Sequence, residues 1–194
     1  MTRTPHPPLR RWALAPLALA LLMGLHGDPG AAPSAFVLRH LVALPLFVLT
    51  SVAGWRLLAG VAGPLADGAR GAFVVFALSY TLYDLLAGVY AGGLMWRLQS
   101  AADPLTVQAS VRNIQALLGG PLLPVVATLG GYAWALALLL SLVGLWDGGS
   151  QRRTALLLLV PAAFALLFDH PGTAGVVAFG GFAAVLGTIP PKTP

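Results

Sequence analysis

GAFVVFALSYTLYDLLAGVYAGGLMW, residues 71 to 96, is an apolar run long enough to cross a bilayer, and it carries one ionisable residue, Asp84, near its middle. Counted in helical steps, Gly88 and Gly92 follow Asp84 at i+4 and i+8, and Tyr80 precedes it at i−4. One narrow face therefore reads tyrosine, carboxyl, glycine, glycine, and such a face lets another helix approach closely. A carboxylate at mid-bilayer costs about 2.5 to 3.5 kcal/mol to insert, so Asp84 is expected to face the bundle interior, a partner or a water-filled cavity.

The rest of the chain agrees with that reading. Of 194 residues, 58% are hydrophobic and 9% charged, with a mean hydropathy of +0.84, which lies outside the range of soluble globular domains. The apolar residues fall in runs that approach or exceed the roughly 20 needed for a span, separated by short segments rich in Pro, Gly, Asp and Arg. The expected fold is an all-α integral membrane bundle of six transmembrane helices, five if the first is cleaved, plus one short amphipathic interfacial helix. The spans are placed at about 12–26, 35–60, 71–96, 122–146, 154–168 and 173–189, forming one domain over 12–189 between tails 1–11 and 190–194. The absence of cysteine excludes disulfides, thiolate metal sites and cysteine nucleophiles. The net charge of +5 comes from basic residues set singly or in pairs beside the apolar runs, a pattern of orientation signals rather than of nucleic-acid binding.

In chain order, Arg10-Arg11 and the run Trp12 to Leu25 resemble a signal peptide with a loose cleavage site near Ala31-Ala32-Pro33-Ser34-Ala35. The further spans downstream favour a retained helix. Ser34 is a candidate cap for the second helix, which Pro45 should kink by removing the hydrogen bond normally accepted by the Leu41 carbonyl. Asp103-Pro104 opens an interfacial helix with Val107, Val111, Ile114 and Leu118 on one side and Gln108, Ser110, Arg112 and Gln115 on the other. In the fourth span Ala127, Gly131 and Ala135 recur every four residues, a small-residue packing stripe of the same kind as Gly88 and Gly92. Pro161 can kink the short fifth span, and the last helix is dense in Gly and Ala.

With six spans and the first residues inside, Arg3, Arg10, Arg11, Arg56, Arg70, Arg152, Arg153 and Lys192 fall on the cytoplasmic side, against Arg39, Arg97 and Arg112 outside. This bias predicts a multi-pass protein with both tails cytoplasmic. Compact loops and heavy Ala, Leu and Gly usage suggest a bacterial-type inner membrane.

Two groups of residues carry chemistry. Asp84 with Tyr80 and Tyr83 can be a proton-carrying or cation-binding carboxyl, and its ordinary reading is a hydrogen-bonded aspartate that fixes helix packing. His40, Asp169 and His170 fall on the outer side by topology, with His26 and Asp28 nearby, and could hold a metal or a haem; histidines at helix ends more often cap or anchor. No cofactor is otherwise indicated. No HExxH, GxSxG or Walker loop is present, and there is no glutamate. The first expectation is thus a non-enzymatic membrane component acting through helix packing or partner contact, with the lipid bilayer and a membrane protein or second copy as partners. A small transporter or channel-like protein using Asp84 is the alternative, and a haem or metal-binding redox protein the third.

Overall fold

The structure is a computed structural model describing residues 9–25, 32–100, 103–147, 150–168 and 172–189. Every regular element among them is helical, with no strand. After a 3₁₀ turn at Leu9–Arg11 come α1 (Leu14–Gly24), α2 (Pro33–Leu57), α3 (Pro64–Tyr83), a π-helical segment (Asp84–Tyr90) and α4 (Ala91–Ser100). The second half holds α5 (Pro104–Gly119), α6 (Leu122–Gly144), α7 (Ser150–Leu157), α8 (Leu159–Phe168) and α9 (Thr173–Thr188). Among the described residues, three helices are long and apolar enough to cross a membrane: α2, the continuous rod Pro64–Gln99, and α6. The chain is therefore a candidate multi-pass membrane protein by the length and composition of its helices.

Prolines set several starts. α2, α3 and α5 open on Pro33, Pro64 and Pro104, where the fixed φ suits the first turn and the missing N–H would have had no helical partner. For this reason α2 begins at Pro33 rather than after Ser34, and Ala32 stands at its cap without a side-chain hydrogen bond. α2 stays helical across Pro45. The run placed at 154–168 is divided at Leu158 into α7 and α8. Pro161 accounts for the break, since it has no N–H to offer the Leu157 carbonyl and its ring crowds that carbonyl. α1 is shorter than the segment assigned to it, and α3 begins at Pro64, ahead of Gly71.

α2 and the rod Pro64–Gln99 run antiparallel, as do that rod and α6. α2 and α3 are joined by a turn in which Gly60 (φ 75°) and Gly63 (φ 111°) adopt conformations that side chains disfavour. Arg70 closes this turn. It donates to the Leu58 carbonyl (2.9 Å) and the Val61 carbonyl (2.8 Å) and pairs with Asp67 at 2.6 Å, tying the connecting turn to the start of α3. Trp55 Nε1 returns a hydrogen bond to the Arg70 carbonyl. At the same end Arg56 lies over the ring of Trp12 at 5.2 Å and Arg153 over Trp146 at 5.8 Å. At the opposite end Arg39 donates to the Leu25 carbonyl, tying the end of α1 to the first turns of α2.

The core is aromatic. Trp134 on α6 is fully buried among Phe73, Phe76, Phe179 and Phe182, with ring centroids 4.7 to 6.1 Å away, and its Nε1 donates to the Ala162 carbonyl at 2.9 Å. Between helices in lipid, such packing and the few interhelical hydrogen bonds supply the attraction that water expulsion supplies elsewhere.

Candidate functional site

Asp84 opens the π segment. At its end the Ala91 N–H reaches the Leu86 carbonyl, five residues back, so one extra residue is accommodated and side chains before and after are turned relative to a regular helix. π turns of this kind recur at functional positions. Here the turn faces α2, and the Asp84 carboxylate meets the ring of His40: Nδ1 and Oδ1 are 2.6 Å apart. Both residues are buried, with 3% of Asp84 and 7% of His40 exposed. The second carboxylate oxygen, Oδ2, is buried without a hydrogen-bond partner among the described residues.

Small residues make room for the meeting. A Cβ on Gly88 would stand 2.2 Å from His40 Cγ, and one on Gly92 would stand 2.8 Å from the Phe36 ring. Gly88 and Gly92 thus form the floor on which Phe36 and His40 of α2 rest, and those two rings lie against each other, tilted by 55°, with centroids 4.2 Å apart. The glycine face of the opening stretch presses on α2.

Tyr80 points elsewhere. It is buried against Phe47 and Phe76, and its ring fills the space that a Cβ on Gly130 would need, 2.4 Å away. Tyr83 is half-buried, its ring 6.5 Å from that of Tyr80. In α6, Gly131 faces the Leu166 carbonyl on α8 and Ala135 is buried, whereas Ala127 is only partly so; Gly130, next to the expected stripe, makes the closest approach. The structure therefore brings His40 to Asp84, and it carries Gly131 toward α8 rather than toward Gly88 and Gly92.

Of the outer-side histidine group, Asp169, His170, His26 and Asp28 lie outside the described residues. Among the described residues no three His, Cys, Asp or Glu side chains are grouped to hold a metal ion. The sequence pattern sets His40 and Asp84 in separate groups because no periodic signal links residues 44 positions apart. The available signal is the glycine at i+4 from Asp84, which marks where a bulky partner is seated.

No family model matches the chain, and no curated protein or solved structure matches it. Its class is that of a candidate helical membrane protein with at least three helices able to span.

Proposed function

We propose that the protein is a non-enzymatic, multi-pass component of a bacterial-type inner membrane, in which the His40–Asp84 pair locks α2 onto the π segment. The observation that carries this reading is the sealed 2.6 Å contact inside an otherwise apolar helix interface. One proton in the bridge leaves the pair without net charge, whether it resides on Nδ1 or on Oδ1, and a net-neutral pair is what a low-dielectric interior tolerates. The six-span arrangement, with α5 at the outer interface and both tails cytoplasmic, belongs to the same proposal. It is supported by the alternating direction of the helices and by the cluster of Trp12, Arg56, Arg70, Trp146 and Arg153 at one end.

Substitution at Asp84 tests the lock. Asparagine keeps the shape and can donate to a neutral His40 Nδ1, so Asp84→Asn should melt close to wild type in detergent. Leucine strands the imidazole, and Asp84→Leu should lose about 1–3 kcal/mol. An Asn variant as unstable as the Leu variant would overturn the neutral-bridge reading.

A second reading, a small proton- or cation-linked transporter, is favoured by the partnerless Oδ2 and by the π turn. Purified protein in vesicles under a pH gradient distinguishes the two. A proton leak abolished by Asp84→Asn supports transport, and wild-type vesicles as tight as empty ones support the lock.

A further inference from the structure

Between α2 and α3, on the side away from the aromatic core, runs an apolar groove of about 760 Å³. Its lining runs from Val48 on α2 to Ala59 just past its end, and from Val74 on α3 to Leu85 in the π segment, with the small residues Ser51 and Ala77 between larger ones. Eleven helical steps cover about 16 Å, close to half of the roughly 30 Å hydrocarbon core, so the groove has the depth of one leaflet. Its shallow end carries Trp55 and Arg56, and both are exposed.

We infer that this groove seats an acyl chain of an anionic glycerophospholipid whose phosphate is held by Arg56. The inference goes beyond the His40–Asp84 lock and rests only on the chain being membrane-embedded. Charge is the first argument. The nearby acid Asp67 is engaged by Arg70, and Arg56 has no ion pair among the described residues, so the mouth of the groove is cationic, with Arg11 adjoining Trp12 in the chain. The guanidinium carbon lies over the Trp12 ring at 5.2 Å and the side chain is exposed, so its N–H donors can reach an oxyanion at the interface. Shape is the second argument. The concavity runs about the depth of one leaflet from the Arg56 end to Leu85, and a lipid tail with its headgroup at the interface matches both its length and its polarity.

The test compares phosphatidylglycerol with phosphatidylcholine of identical acyl chains, titrated into the full-length purified protein in detergent. Native mass spectrometry reads the bound lipid, and thermal unfolding reads its effect. Wild type should retain phosphatidylglycerol about fivefold more strongly, the weight of one basic side chain against an anionic lipid, and should melt higher with it. Arg56→Gln should erase that preference, while Arg153→Gln, at the same end but outside the groove, should keep it. Ala59→Phe, which fills the groove mouth, should lower retention of both lipids. Equal retention of the two lipids by wild type, or an Arg56→Gln protein that still prefers phosphatidylglycerol, overturns the proposal. So does a dimer that Ala59→Phe dissociates, since a second copy would then be the occupant.

Discussion

Gly88 is the residue that allows a histidine and an aspartate to meet inside an apolar interface. A methyl group there would collide with the His40 ring at 2.2 Å, and the ring itself is confined by Phe36. Gly88→Ala should therefore destabilise the protein by about 1–3 kcal/mol through overpacking. It should also displace the imidazole, so Asp84→Leu should cost less in the Gly88→Ala background than in wild type. At Gly71 and Gly93, in the same rod, an added methyl group would meet nothing within 4 Å. Alanine at either should be neutral or stabilising by about 0.5–1 kcal/mol, because it favours the helix without meeting a neighbour. Thermal melts of the three alanine variants check the contrast, and equal losses at all three would mean that the close approach at Gly88 is not what holds the interface.

At the scale of elements, α5 shows how far sequence chemistry reaches. Asp103 caps it as its position before Pro104 predicts, accepting from the Leu105 and Thr106 amides and from the Thr106 hydroxyl at 2.8 Å. Those hydrogen bonds, the Thr106 hydroxyl first, hold the carboxyl below its ordinary value. A depressed value in the folded state means that the cap contributes fully above the usual carboxylate range and is lost as pH falls through the lower folded value. Protection of the Leu105 and Thr106 amides, taken relative to their intrinsic exchange rates at each pH, should fall on acidification. Asp103→Asn should keep its protection without that acid dependence, and Asp103→Ala should be unprotected at every pH. Slow exchange in the alanine protein would mean that the cap does not hold this helix start. The side chains of α5 are less legible. Ser110, which the periodicity sets with the polar residues, is buried beside Ile114, while Leu118 is exposed, because contacts with α4, the π segment and α6 decide which strip is covered.

For the whole molecule, helix class and the three long apolar segments follow from composition and run length, since a chain this apolar satisfies its backbone most simply as helices. The pairing of His40 with Asp84 does not, because it depends on the tertiary register of α2 against α3 and on a π turn that local propensity does not encode. Sidedness is decided by helix direction and charge together. Helix directions put Gln108, on α5, and Gln151, at the start of α7, at opposite ends, because α6 runs between them antiparallel to α3. In the proposed topology the basic bias sets the Gln151 end, with Arg152, Arg153, Arg56 and Arg70, on the cytoplasmic side. Both glutamines are exposed, and the chain has no native cysteine to confuse the result. In intact cells an impermeant thiol reagent should label Gln108→Cys and leave Gln151→Cys unlabelled until the membrane is opened. Labelling at position 151 alone would invert the bundle, and labelling at both would mean that α6 does not cross.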